Sequence, residues 1–233
     1  MRNSRARLQA DFANQAKSAF LADLSGEIES PIRAILGDAL ILRSKQNMNE
    51  TQRQAFDSIV LNGENLSAII CGIVEISLIE AGSVEFAPGN FDLGELIDGL
   101  NKTPEITIVP LAEAGGMVNG DARLLREALQ TMLNNAVEEG EGAAVNLSVS
   151  RQGEDDYAFA IVGGRLGFAF NEMAHIFVPF YKPQGATSKS AAGLNLAIAD
   201  KKIAMMGSEL KCELEPGKGC RLSFIVKLPT VAE

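Results

Sequence analysis

The stretch that decides the fold is residues 17–36, which read KSAFLADLSGEIESPIRAIL. Apolar side chains recur here at steps of three and four residues, and the spacing continues from about residue 7 to 45. That period predicts a long helix with one buried stripe. Pro31 lies inside the stripe, and because proline lacks a backbone donor we expect a local kink there.

A second stretch with helical periodicity follows a short polar break and runs from about residue 50 to 80, with Gly82 as the expected C-terminal cap. Two long helices joined by a short turn predict an antiparallel hairpin over residues 1–85. A hairpin with wide apolar faces cannot bury them alone, whereas two copies can form a four-helix bundle. The sequence therefore predicts a homodimer.

Residues 86–233 combine stretches of helical spacing with stretches that alternate apolar and polar residues. Alternating apolar and polar residues predict strands, and helical spacing predicts three helices, at 91–100, 122–139 and 194–206. The predicted strands are residues 105–110, 116–120, 143–151, 157–162, 209–215 and 220–228. Strands on one face and helices on the other predict an α+β two-layer sandwich.

The amino-acid composition limits which classes of binding partner and which cellular compartment are expected. The net charge of −9 disfavours nucleic acid and anionic membrane as partners, because phosphate binding needs clustered basic residues. The three cysteines lack metal-ligand spacing and are predicted to be small buried apolar groups in a reducing compartment. No apolar run was expected to reach the ~20 residues of a membrane helix, and the N-terminus lacks a signal-peptide core, so we expect a cytoplasmic protein.

The opening stretch resembles the phosphoacceptor segment of sensor histidine kinases, which reads Leu-Ser-His-Glu-x-x-(Thr/Ser)-Pro. Ser25, Glu27, Ser30 and Pro31 match this pattern, but Gly26 occupies the histidine position. Glycine has no side chain to phosphorylate. The chain's single histidine, His175, lies far from this segment and is interpreted as a surface residue.

Further segments resemble the family's ATP-binding domain, of the Bergerat type, in the right order. These segments are Asp121–Arg126, Asn135–Val137, Ile176–Tyr181 and Gly193–Ala199. The resemblance implies a nucleotide pocket with Asn135, Gly167 and Gly193 retained.

The same resemblance implies that the pocket is degenerate. Gly163 stands where an aspartate holds adenine, and Thr131 stands at the first metal-binding asparagine. Glu138 replaces a lysine that faces phosphate, and Asn195 replaces a phosphate-loop glycine. Loss of the charge-assisted adenine contact alone costs about 1.5–3 kcal/mol. We therefore expect no resident metal or cofactor, and weak or absent binding of ATP and Mg²⁺.

The leading functional hypothesis is a catalytically inactive, histidine-kinase-like signalling protein, a pseudokinase that binds a response regulator receiver domain or another histidine kinase. The resemblance places the docking surface along the first helix, at Leu24, Ile28, Pro31, Ile32 and Ile35. Two alternatives stay open. One is a response-regulator phosphatase that uses Glu27 and Ser30, and the other is a regulatory switch that binds ATP weakly.

Overall fold

A computed structural model describes eight segments of the chain. These are residues 28–43, 48–100, 103–109, 115–140, 142–163, 170–181, 193–215 and 219–231. The chain divides into two compact units, Met1–Val84 and Glu85–Glu233. The predictions for Leu24, Gly26, Glu27 and Gly167, and most of the predicted first helix, lie outside the described residues.

The first unit contains the two predicted helices, α1 over residues 28–43 and α2 over Glu50–Glu80. Asn49 starts α2 with a reciprocal capping box: its side chain accepts from the Gln52 amide at 2.8 Å, and the Gln52 side chain accepts from the Asn49 amide at 3.0 Å. Ala81, not Gly82, is the C-cap residue, and Gly82 follows it with φ +67°. Glycine tolerates this left-handed conformation without a side-chain clash.

Three contacts run between α1 and α2. The Cys71 thiol donates to Glu29 Oε1 at 2.9 Å, and Arg43 Nε lies 3.0 Å from Asp57 Oδ1. Between these ends, a Cβ added to Gly63 would lie 2.6 Å from a methyl of Leu36. Residue numbers rise on one helix as they fall on the other, so the hairpin is antiparallel, as predicted.

The hairpin leaves much of its apolar surface open. Its exposed large apolar residues are Ile35, Leu40, Ile41, Leu42, Ile59, Leu61 and Leu66. By length and composition α2 is apolar enough to cross a membrane, and 11% of its most apolar window is buried. The expectation that no apolar segment reaches this length was wrong, because α2 contains few charged residues among its small polar ones. A helix of a soluble bundle has the same composition, so this property assigns neither environment.

The second unit begins with a short strand that the sequence did not predict. β1 spans Gly89–Asp92, and Asp92 then caps α3, Leu93–Asp98, by accepting from the Glu95 amide at 2.8 Å. The prediction of one helix over 91–100 was therefore wrong at its start. After α3 come β2 at Ile106–Ile108 and β3 at Met117–Gly120.

Apart from a 3₁₀ helix that the sequence did not predict, the remaining elements lie close to their predicted bounds. They are α4 Ala122–Gly140, β4 Val145–Arg151, β5 Asp156–Gly163, a 3₁₀ helix Phe170–His175, α5 Asn195–Met205, β6 Lys211–Glu215 and β7 Gly219–Lys227. Five strands form one mixed sheet in the order β2-β4-β5-β7-β6, in which β2 and β4 are parallel and the other pairs antiparallel. The α+β prediction is thus confirmed for this unit.

The core of this unit lies between the sheet and its helices. Alternate residues of β5 and β7 face inward, and the Phe159 and Phe224 rings stack with centroids 4.9 Å apart. Leu125, Leu129 and Leu133 on α4 are fully buried against them. Steps of four residues put these leucines on one helix face, which explains why periodicity predicted α4 correctly.

β1 and β3 form a separate two-stranded sheet that the end of the chain extends. The Asn119 amide donates to the Pro229 carbonyl at 2.8 Å, and the Val231 amide donates to the Met117 carbonyl at 2.9 Å. Residues 229–231 therefore hydrogen-bond along the free side of β3.

Candidate functional site

Asp121 anchors the helix that carries the predicted metal-site residues. Its Oδ1 accepts from the Leu124 amide at 3.0 Å and its Oδ2 from the Ala87 amide at 2.9 Å, while the residue is 3% exposed. A carboxylate at this position satisfies a free donor of the first helical turn and complements the helix dipole. The predicted capping role of Asp121 is confirmed.

Thr131, Asn135 and Glu138 share one face of α4, since they are spaced by four and three residues. The Thr131 hydroxyl donates to the Glu127 carbonyl of its own helix at 2.8 Å, so its proton is already engaged. Asn135 is half-buried and Glu138 is exposed. This face presents one amide and one carboxylate where the resemblance calls for two asparagines and a lysine.

An ion pair between a buried lysine and a partly exposed glutamate joins α5 to α4. Lys202, which is 5% exposed, places Nζ 2.8 Å from Glu127 Oε2. A buried ammonium needs such a partner, because desolvation of an unpaired charge is costly. The pair therefore ties together the two helices that carry Thr131 and Asn195.

The residue that the resemblance assigns to adenine binding has no room for a side chain. Gly163 has φ +151°, and a Cβ built on it would lie 2.6 Å from the Ala144 carbonyl oxygen and 2.8 Å from Val145 Cα. Both neighbours are backbone atoms of the β4 end of the sheet, so they cannot move aside like a flexible side chain. In this backbone an aspartate cannot replace Gly163 without a shift of the strand.

Gly193 likewise has no room for a side chain. It has φ +68°, and a Cβ built there would collide with the Tyr181 carbonyl oxygen. The Tyr181 backbone thus packs directly on the glycine that the resemblance assigns to phosphate approach. Asn195 follows as the first residue of α5 and is half-buried.

The segment before this contact, Ile176–Tyr181, is one of those that resemble the family's ATP-binding domain, and it is rich in aromatic residues. Tyr181 Oη donates to Glu172 Oε1 at 3.1 Å, and desolvation together with this carboxylate raises the pKa of Tyr181. The exposed His175 ring lies 5.4 Å from the Tyr181 ring. His175 therefore belongs to the α/β unit, in agreement with its interpretation as a surface residue. Phe180 has φ +66° and is 56% exposed.

In the hairpin, the structure separates the predicted docking residues. Pro31 and Ile35 are exposed, Ile28 is half-buried, and Ile32 is 7% exposed. Ser30, from the phosphatase alternative, is exposed.

Glu29, beside Ser30, pairs with Arg33 at 2.8 Å and accepts from the Cys71 thiol. The hydrogen bond to Glu29 and partial desolvation raise the pKa of Cys71. Cys71 is exposed, so the prediction that all three cysteines are buried was wrong for it. The apolar residues on either side of Cys71 are not fully buried within one copy of the hairpin.

Among the described residues, no group of three or more histidine, cysteine or acidic side chains could hold a metal ion. Sequence reasoning also missed a groove of about 370 Å³ on the sheet face opposite the helices. Its lining includes Ser148, Ser223 and Arg221. Alternation along β4 and β7 could have located these polar residues but not the concavity.

The family model "Histidine kinase-, DNA gyrase B-, and HSP90-like ATPase" matches residues 120–231. The protein "Sensor protein TorS" of Escherichia coli K12 is 30% identical over 235 residues, covering 96% of this chain and 25% of that protein. The "Hybrid signal transduction histidine kinase B" of Dictyostelium discoideum is 26% identical over 233 residues, covering 94% of this chain and 12% of that protein. The chain thus spans a quarter or less of the length of these two relatives.

One of the solved structures has a similar fold. A crystal structure of full-length ShkA in complex with AMPPNP superposes with a TM-score of 0.71 and 24% identity, covering 92% of this chain and 47% of that one. The α/β unit therefore has the fold of the histidine-kinase-type ATPase domains. Residues 120–231 thus match the histidine-kinase-like ATPase family, and the similarity to sensor histidine kinases over 96% of the chain supports membership of the sensor histidine kinase family.

Proposed function

We propose that this chain is a histidine-kinase-like signalling protein without phosphotransfer activity, which dimerises through its hairpin and binds a receiver domain or a partner histidine kinase. The observation that carries the proposal is Gly26, which leaves the family's phosphoacceptor position without a nucleophile. The cytoplasm is the compartment in which such partners reside.

The nucleotide site supports the same conclusion independently. Gly163 lacks the adenine-binding carboxylate, and the backbone beside it leaves no space for one. The Thr131 hydroxyl is hydrogen-bonded within α4, and the Tyr181 backbone occupies the approach to Gly193. The proposal therefore includes weak or absent binding of ATP and Mg²⁺.

The primary test is incubation of the chain with radiolabelled ATP and Mg²⁺, beside an active relative as positive control. We expect no label on the protein. Label that is lost in acid and retained in alkali would mark a phosphohistidine and overturn the proposal. We also expect the Gly26→His variant to stay unlabelled because the pocket is impaired separately; label on that variant would show that the pocket still works.

Calorimetry with Mg-ATP at millimolar concentration separates this proposal from the ATP-switch alternative. No heat of binding is expected. Saturable heat that disappears in Asn135→Ala, which removes the side-chain amide, would favour the switch.

The exposed apolar face of the hairpin supports dimerisation. We expect Leu66→Glu to convert a dimer to a monomer in sedimentation equilibrium, because a buried unpaired carboxylate opposes association. Leu66 is 47% exposed in one copy. Ile225→Glu is the matched control, since Ile225 is 49% exposed but lies on the sheet of the other unit. A dimer that survives Leu66→Glu would contradict this interface.

The exposure of Ser30 favours the phosphatase as a second candidate, because its hydroxyl is open to a partner. The chain would be incubated with a phosphorylated receiver domain, and loss of phosphate measured. Loss that disappears in Ser30→Ala and persists in Ser83→Ala, another exposed serine, would support the phosphatase. No loss above the spontaneous rate would remove it.

A further inference from the structure

The β6–β7 hairpin brings two cysteines into contact. Its register pairs Cys212 with Leu222 and Leu214 with Cys220, so the cysteines occupy diagonal positions on the same face of the sheet. Their sulfur atoms lie 2.8 Å apart, and both are free thiols. A disulfide requires an S–S distance of about 2.05 Å, so the side chains are already directed at each other and need approach by less than 1 Å.

We propose that Cys212 and Cys220 form a reversible disulfide across β6 and β7 when the chain meets a low-molecular-weight disulfide such as oxidised glutathione. The inference is independent of the proposed signalling function. It assigns a modification site to residues that neither the nucleotide motifs nor the docking surface includes.

The two thiols have different environments, which sets the order of the steps. Cys220 is 2% exposed, whereas Cys212 is half-buried. The hydrogen bond with Cys212, followed by burial, raises the pKa of Cys220 well above its usual value. Thiolate is the reactive form, so Cys220 alone is unreactive and the reagent meets Cys212 first.

In the first step the Cys212 thiolate attacks one sulfur of oxidised glutathione, forming a mixed disulfide and releasing one glutathione thiolate. Because Cys212 is then part of a disulfide, the thiol hydrogen bond that raised the pKa of Cys220 is gone. In the second step Cys220 loses its proton to solvent and attacks Cys212 Sγ, which releases the second glutathione as a thiolate. Two protein thiols are oxidised by two electrons, and one glutathione disulfide is reduced to two thiols. Reduced glutathione or dithiothreitol reverses the sequence.

The test uses the full chain with Cys71→Ser, which removes the exposed thiol. The protein is equilibrated with oxidised glutathione, quenched in acid, unfolded, alkylated and weighed. We expect a mass lower by two hydrogens and no alkylation. Trypsin should then release the peptide Cys212–Lys218 linked to Gly219–Arg221, since Lys211, Lys218 and Arg221 are the flanking cleavage sites.

Two further variants in the same background check the assignment. Cys220→Ser should stop with one glutathione on Cys212, and Cys212→Ser should remain unmodified. The proposal is overturned if both thiols of the parent protein are alkylated after unfolding. It is equally overturned if glutathione stays on Cys212 while Cys220 remains free, or if the cross-link joins two chains. The parent measurement needs no substitution in β6 or β7, so folding defects in the Cys212 and Cys220 variants cannot obscure it.

Discussion

The two units of the chain bury their apolar residues to very different extents. The α/β unit encloses leucines, valines and phenylalanines in one continuous core, whereas the hairpin leaves Ile35, Ile59 and Leu66 substantially exposed. A closed core stabilises a domain by itself, while a helical hairpin gains most of its stability from a partner. The comparison shows that the α/β unit buries its own apolar residues, whereas the hairpin leaves many of its apolar residues exposed within one copy, as the proposed dimer requires.

The largest expected effect comes from truncation of a core leucine. Leu129→Ala should lower the free energy of unfolding of the α/β unit by about 2–5 kcal/mol, because Leu129 is fully buried and the cavity cannot collapse. The counterpart in the hairpin, Leu66→Ala, should change it by under about 0.5 kcal/mol at a protein concentration where the chain is monomeric. Urea denaturation measures both, and similar losses would remove the contrast between the units.

The next largest effect is expected at Gly163 in the candidate nucleotide site, where the structure leaves no room for a side chain. Gly163→Asp should cost about 2–4 kcal/mol of stability, since it combines backbone strain with a clash against Ala144 and Val145. Gly89→Ala is the control, because a Cβ at Gly89 meets nothing within 4 Å. Thermal unfolding monitored by circular dichroism is sufficient. A stable Gly163→Asp protein that binds ATP would mean that the site opens readily.

A smaller loss is expected at the buried helix cap. Asp121→Ala removes the acceptor of two amides, from Leu124 and Ala87, and should cost about 1–3 kcal/mol. Asp92→Ala removes one exposed cap bond, to Glu95, and should cost about 0.5–1 kcal/mol. Chemical denaturation of the two variants in parallel compares them, and equal costs would show that burial adds nothing at Asp121.

The smallest effect belongs to the exposed ion pair of the hairpin. Arg43 and Asp57 are each about half exposed, so Asp57→Asn should cost only about 0.2–1 kcal/mol, and the cost should fall as salt is added. Unfolding of the hairpin followed by helical circular dichroism at low and high salt measures this. A larger, salt-independent loss would indicate that the hairpin relies on this pair as the α/β unit relies on its core.

The spacing of apolar residues predicted much of the fold, because it reflects which side chains are buried. α2, α4 and the long strands β4, β5 and β7 each repeat their apolar residues over many positions, so their type was clear from the sequence. β1 was missed because four residues provide no alternation to recognise. The exposure of Cys71 was missed because an apolar run looks the same whether its cover comes from the same chain or from another copy.

The residues of the candidate site were proposed from the sequence, whereas their geometry could not be predicted from it. The glycines at 26 and 163 could be read from the sequence, through the resemblance to the family. The clash that blocks a side chain at Gly163 depends on Ala144, which is distant along the chain and adjacent only once β4 and β5 pair. The contact between Cys212 and Cys220 likewise depends on hairpin register, which the turn sequence alone did not determine.

The strand-like segment at residues 229–231 has a consequence for folding. The outer hydrogen bonds of β3, between Asn119 and Pro229 and between Met117 and Val231, join residues that are distant along the chain. Closing a contact over so long a loop costs conformational entropy. Completion of this small sheet therefore depends on the elements between β3 and residue 229 having folded.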